Sequence, residues 1–312
     1  MKIAIPTKLV ASLLLIQLFS VNLFAQDENA TEDDNSGVSY KGVEGFHIGF
    51  NLGAFFPNKD AAAIYEGYGF DANGNRNAPD QTYMYKKIIV ENDYNSSNGN
   101  DRITIALGLN SRDYWKFDSV ADMPTNLKYN TAFLLGLALH YGIDKKQAII
   151  ANLNFAKLTA IGNFNIQTRN TSNQIPSDWI NNPFAIVGKE QRFMIQLGYS
   201  RILGNNEKYN FFIEGGLCTN NVKFQKNFIE INDLEIDLST YDSNAPGGNA
   251  YFSEQYTGWG FGGFAGLGLN LTMNPKYTIQ LLYSPSYETI KLGPEATAAL
   301  QNAVGMRAYY NF

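Results

Sequence analysis

With 312 residues, of which 14% are aromatic and only 17% charged, the chain has room for one large domain or two small ones. Its mean hydropathy of −0.24 excludes a bundle of membrane helices; no stretch after the first 25 residues approaches the ~18 unbroken apolar residues of a helical span. A formal net charge of −5 argues against nucleic acid as a partner, and the single cysteine, Cys218, excludes an internal disulfide.

Lys2 and Lys8 precede an apolar run, Leu9–Phe24, and Ala25 offers a small residue before Gln26. This pattern reads as a secretory signal peptide over residues 1–25, with Leu23 departing from the usual small residue three places before the cut. No cysteine follows the run, which removes the lipoprotein reading. Residues 26–43 open with Asp27, Glu28, Glu32, Asp33 and Asp34. They read as an acidic, flexible periplasmic segment, the sharper alternative being a hook for a periplasmic partner or a divalent cation.

From residue 44 to 312 the chain alternates. Glu44–Phe56 sets Phe46, Ile48, Phe50, Leu52 and Ala54 against His47, Gly49, Asn51 and Gly53, as strand geometry requires. Asn126–Tyr141 sets Tyr129, Phe133, Leu135, Leu137 and Leu139 against Leu134, Gly136, Ala138 and His140. Gln147–Thr168 presents Ile149, Ala151, Leu153 and Phe155, and its phase blurs after Lys157. Lys189–Leu203 and Tyr209–Phe224 follow in the same manner. Gly258–Met273 carries Trp259, Phe261, Ala265, Leu267, Leu269 and Leu271 opposite a column of glycines. Tyr277–Lys291 and Asn302–Phe312 complete the set; the last alternates through Val304, Met306, Ala308, Tyr310 and Phe312 to the end of the chain.

The connections at 142–146, 204–208 and 274–276 are tight, those at 57–125, 169–188 and 225–257 are long, and 292–301 is intermediate. The expected fold is all-β: a closed antiparallel up-and-down transmembrane β-barrel of about eight strands with short periplasmic turns and long extracellular loops. Because the minority face holds Gly, Asn, Arg, Glu and Gln, the apolar face is expected outside, against lipid. Within the long first loop, Gln81–Asn92 and Asp101–Trp115 both read as extended, with Ile103, Ile105, Leu107 and Leu109 alternating. The expectation is an external hairpin above the membrane; ten strands is the alternative, disfavoured because Lys86 or Lys87 would face lipid.

The leader, the alternation over residues 44–312 and the ending Tyr309-Tyr310-Asn311-Phe312 resemble the PorT-like outer-membrane β-barrel family of Bacteroidetes. The resemblance implies a small barrel, mostly without assigned activity, with one member needed for protein secretion and gliding. It also implies that the terminal strand, through Tyr310 and Phe312, is read by the barrel-assembly machinery. The long first loop departs from the compact members. Asp118-Ser119-Val120 resembles that phylum's O-glycosylation signal.

No constellation of a catalytic or metal-binding kind stands out. The two histidines, His47 and His140, fall on the inner face near the periplasmic mouth, side by side across the first strand pair. They read as fillers of a polar interior, with a metal or proton-sensing pair as the sharper alternative; no carboxylate or cysteine flanks them at ligand spacing. Glu190, Arg192, Glu214, Glu288 and Arg307 also face inward, and charges inside so narrow a barrel must be paired. A hydrolase would have to use His140, Ser200 and Glu214, which come from strands not all adjacent. The glycine column Gly258–Gly268 is expected to make room for large side chains from the opposite wall. Aromatics recur in the loops, among them Tyr65, Tyr68, Tyr114, Trp115 and Trp179, and their excess marks a candidate binding surface.

The functional expectation is therefore an exported outer-membrane protein, not an enzyme and without a cofactor, with a structural or interaction role as an accessory of a secretion or surface-assembly complex. Its expected partners are outer-membrane lipid and lipopolysaccharide, the barrel-assembly machinery and other envelope proteins. The alternatives are a small passive channel and a lipid-modifying hydrolase.

Overall fold

Strict alternation of side chains, with few prolines to interrupt it, makes long antiparallel ladders the cheapest way to satisfy the backbone of this chain. A computed structural model describes residues 44–71, 73–90, 92, 101–110, 114–172, 175–176, 178–206, 208–242, 251–253, 256–274 and 276–311. Residues 1–43, where the leader and the acidic segment are expected, and Phe312 lie outside them. Among the described residues, eight long strands dominate: β1 (Gly45–Phe56), β2 (Ala132–Gly142), β3 (Gln147–Arg169), β4 (Ile180–Leu203), β5 (Tyr209–Ile231), β6 (Thr257–Asn274), β7 (Tyr277–Leu292) and β8 (Glu295–Asn311). No described helix is long and apolar enough to cross a membrane.

Every sequential neighbour among these strands pairs antiparallel, and β1 pairs with β2 on one edge and β8 on the other. Stepping through register partners from Leu269 by Leu281, Met306, Leu52, Leu135, Phe155, Phe193 and Asn221 leads back to β6 at Trp259, ten residues along from the start. The ladders are uneven in height. β3 and β4 pair from Gln147↔Arg201 up to Thr168↔Ile180, whereas β1 and β2 pair only from Gly45↔Gly142 to Phe55↔Ala132.

The faces sort as the alternation predicts near the short turns. Phe46, Phe50, Phe133, Leu197, Leu217, Leu267 and Tyr310 are exposed, while His47, Asn51, Asn152, Asn154, Gln280 and Arg307 are buried. Farther along, the polarity of the two faces reverses. On β3 the outward residues become Lys157, Asn163, Asn165 and Gln167 (Ile161 is the exception), and Leu158, Phe164 and Ile166 turn inward and are buried. On β5, Lys223 faces out as Val222 and Phe224 go in; on β7, Lys291 faces out as Ile290 and Leu292 go in. The blurred phase after Lys157 is this reversal, in one unbroken strand.

The reversed segments enclose an apolar core, into which the first loop inserts Ala62, Tyr65, Met84, Ile88 and Ile103. Three expectations fail here for that reason. The external hairpin expected over Gln81–Asn92 and Asp101–Trp115 is not formed: Tyr83–Tyr85, Lys86–Val90 and Arg102–Ala106 are helical turns. The Asp101 carboxylate accepts from Thr104 N at 2.9 Å, capping the turn that buries Ile103 and leaves Ile105 exposed. The strands also run farther than expected: β4 begins at Ile180, β5 reaches Ile231, and β8 begins at Glu295. The connection placed at 292–301 is instead a two-residue turn, Gly293-Pro294, with Leu292 opposite Glu295 and Gly293 at φ +71. Finally, the strand expected over Asn126–Tyr141 is broken. Lys128–Tyr129 pairs with β3 alone, and β2 starts at Ala132.

Glycines on β6 serve close approach, though from neighbouring strands and not from the opposite wall. A Cβ on Gly260 would sit 1.7 Å from the Thr289 carbonyl oxygen of β7, and one on Gly266 would meet Glu214 Cγ of β5 at 2.6 Å.

Candidate functional site: the buried polar interior

The inner face of the eight strands carries all seven polar residues singled out in the sequence, and the register brings them together in four groups. At the level where the faces reverse, the Arg192 guanidinium Nε donates to Glu190 Oε1 at 2.6 Å, and neither side chain is accessible. Glu190 Oε2 also accepts from the hydroxyls of Tyr65 and Tyr129, each at 2.8 Å. Arg192 lies 5.3 Å from the Tyr129 ring centroid and reaches Gln301 Oε1 at 3.4 Å. Next, Glu288 accepts from Asn220 Nδ2 at 2.8 Å and Ser286 Oγ at 3.2 Å, with Cys218 Sγ 3.8 Å away.

Nearer the short turns, Arg307 clasps Glu214 with two parallel hydrogen bonds, Nη1 to Oε2 at 2.7 Å and Nη2 to Oε1 at 2.8 Å. At the bottom, His47 and His140 are register partners whose rings meet edge to face at 5.3 Å, and Tyr309 packs on His140 at 5.6 Å. A planar guanidinium matched to a carboxylate in this fork arrangement recovers much of the cost of burying both charges. The interior between these groups is nearly full. A cavity of about 30 Å³ lies among Asn51, Asn154, Ser284, Glu288 and Arg307, enough for one or two water molecules.

Chemically this interior is occupied. Glu190 and Glu214 are held by arginines, and Glu288 accepts from neutral donors. The hydrolytic set considered from the sequence does not assemble: β3 lies between the strands of His140 and Ser200, and Glu214, register partner of Ser200, is engaged by Arg307. Among the described residues, no group of three or more His, Cys, Asp or Glu could hold a metal ion. Tyr310 stands on the outer face, its ring edge-on to Tyr277 at 5.5 Å; Phe312, the other half of the expected assembly signal, is outside the described residues.

Two participants escaped the sequence reading. Continuing the phase of β2 puts Tyr129 on the outer face, but the break at Asn130–Thr131 turns it inward onto Glu190. Tyr65, counted among loop aromatics of a binding surface, is fully buried, stacked on Phe224 at 5.6 Å and 21°. Nothing local distinguishes it from the loop tyrosines that stay partly exposed. Tyr68 and Trp115 pack partly on the same core, while Tyr114 and Trp179 remain exposed, bracketing Arg169 at 5.6 and 5.0 Å. In Asp118-Ser119-Val120, the Asp118 carboxylate accepts from Val120 N and Ala121 N, which holds its pKa below the ordinary value.

Burial first, and the Glu190 charge second, hold the Tyr65 phenol well above its ordinary pKa of 10.0. The folded first loop therefore binds this proton more tightly than the unfolded chain does. Its contribution is complete below the unfolded value and disappears as pH rises through the folded one. Resistance of the first loop to protease is expected to be level up to about pH 10 and to fall above it.

No protein-family model matches the chain, and no curated protein matches it. Among solved structures it is similar to the N-terminal β-barrel domain of OprF from Pseudomonas aeruginosa, with 12% identity and a TM-score of 0.30 over 60% of this chain and 91% of that one. It is also similar to Ail, the attachment invasion locus protein of Yersinia pestis, with 12% identity and a TM-score of 0.34 over 86% and 99%. The outer membrane protein OprG of P. aeruginosa gives 12% identity and a TM-score of 0.31 over 86% and 93%. At these scores the likenesses carry no weight of their own.

Proposed function

We propose that the chain is an integral outer-membrane β-barrel with a structural or interaction role, its eight strands closed by the β1–β8 ladder. The observation behind this is the reversal of strand polarity. Where Phe50, Phe133, Leu197, Leu217 and Leu267 point outward and polar groups inward, the outer solvent must be hydrocarbon. In water each such side chain would forgo about 1.5–3 kcal/mol of burial. Beyond Lys157, Lys223 and Lys291 the outer face is mostly polar, Ile161 and Ile180 excepted, and the inner face apolar, as for a protein in water. The short turns then lie in the periplasm and the first loop caps the outer mouth.

A structural role is favoured over conduction by Arg192 and Arg307, which are buried across the interior, and by the small size, about 30 Å³, of the cavity beside Arg307. The wild-type protein is expected to fractionate with outer membranes, to migrate faster on a gel when unboiled, and to pass no steady current in planar bilayers. Reproducible conductance steps would replace this reading with the channel. The PorT-like relationship and a place in a secretion or surface-assembly complex belong to the same proposal, supported by the leader, the alternation and the terminal Tyr-Tyr-Asn-Phe. Crosslinking followed by mild detergent extraction should then yield envelope proteins bound to the barrel; a lone barrel would count against the accessory role.

A further inference from the structure

Over β3 to β7 the outer wall is rich in lysine. On β3 to β7 the outward face carries Lys157, Lys189, Lys223, Lys226 and Lys291, besides Arg169 and Arg201 at the strand ends, and Glu230 is the one exposed carboxylate among the described residues of these strands. β1 and β2, which span only 12 and 11 residues, carry no outward charge, and Lys128, register partner of Ile161 on β3, is exposed just before β2. Lys226 is taken up by Glu235. Lys189 and Lys226 lie against the Phe228 ring, at 5.1 and 4.4 Å. Lys157, Lys223 and Lys291 form no ion pair in the described structure, on a chain whose formal net charge is −5.

These lysines form a band. Lys157, Gln191, Lys223 and Thr257 are consecutive register partners across β3, β4, β5 and β6, which sets Lys157 and Lys223 about 10 Å apart. Lys189, Lys223 and Lys291 each stand 14 residues along their strands from the short-turn ends at Leu203, Tyr209 and Tyr277. At about 3.3 Å per residue and a tilt of about 40°, that is about 35 Å, and about 25 Å for Lys157, 10 residues from Gln147, against an apolar band about 25 Å tall. The ammonium groups therefore lie in the headgroup layer, directly above the greasy outer face.

Resting on the membrane reading, we propose that this band is a binding site for the phosphate-bearing headgroup of an anionic lipid in the outer leaflet, whose acyl chains lie along Phe155, Phe193, Leu217 and Trp259. Lysine suits the task because a compact, mobile ammonium meets a phosphate as a point charge and needs no fixed fork. Continuity of cationic band and apolar surface selects a lipid over a free anion.

The test uses the full mature chain in phosphatidylcholine nanodiscs doped with diphosphoryl lipid A, reading lipid A retained per protein by native mass spectrometry. The variant Lys157→Gln/Lys189→Gln/Lys223→Gln/Lys291→Gln is expected to bind about fivefold more weakly for each lysine removed. Replacing all four by Arg should preserve binding, as should Lys145→Gln/Lys146→Gln/Lys208→Gln/Lys276→Gln at the short turns. The heat-shifted gel band reports folding, and Lys223→Gln alone serves if the quadruple variant fails to assemble. Equal retention by wild type and variant, or equal displacement by free inorganic phosphate, overturns the assignment. Failure of the wild type to insert would instead sink the barrel reading, and this proposal with it.

Discussion

Arg307→Ala is expected to destabilise the barrel by about 3–5 kcal/mol, the usual result of leaving one partner of a buried ion pair behind. Both side chains of the Arg307–Glu214 pair are 1% accessible, and their two hydrogen bonds hold the carboxylate from one side. Gly266 leaves a niche that the Glu214 side chain fills, so the abandoned carboxylate has little room to turn toward water. The effect should appear as a lower temperature at which the fast-migrating unboiled band converts to the slow one. Arg307→Met combined with Glu214→Gln should recover most of the loss, since what is costly is the orphaned charge and not the absence of a pair. An Arg307→Ala protein as heat-resistant as wild type would show that the pair holds nothing together.

Tyr65→Ala should act on the cap and spare the wall. Removing a fully buried aromatic costs about 3–5 kcal/mol where the site cannot collapse. Tyr65 is locked on three sides: its hydroxyl on Glu190, its ring on Phe224, and Gly188 beneath, where a Cβ would come within 2.1 Å of the ring. Cleavage by trypsin within the first loop, at Lys59, Arg76, Lys86 or Lys87, should rise sharply. The heat-shifted band should persist, because β1 to β8 pair without the loop. Tyr65→Phe, which keeps the ring and loses one hydrogen bond, should cost only about 1 kcal/mol. Protection of Tyr65→Ala equal to wild type would mean that the first loop is held elsewhere.

The strands near the short turns were legible because alternation is written in adjacent residues, and there each strand separates the same two environments throughout. The His47–His140 partnership was legible for the same reason: both stand at the foot of strands joined in order. Beyond Lys157 that guide fails, since the apolar face changes sides and a reader holding one phase sees noise. Ile103, Ile105, Leu107 and Leu109 alternate like a strand, yet Ile103 is drawn into a core built by β3, β4, β5 and β7, and Asp101 caps a helical turn there. No local signal announces a core whose walls lie up to 190 residues away, as Ile290 and Leu292 do.

The sequence by itself determined that this chain is all-β, which side of each lower strand is greasy, and which charged residues turn inward, because backbone sterics set a period of two whatever else the chain does. Only the tertiary structure decided the partners: Arg307 with Glu214 across 93 residues, Tyr65 with Glu190 across 125, and four lysines from four strands in one band. Those pairings depend on register and on the ten-residue offset around the ring, and these are set by the whole set of ladders together.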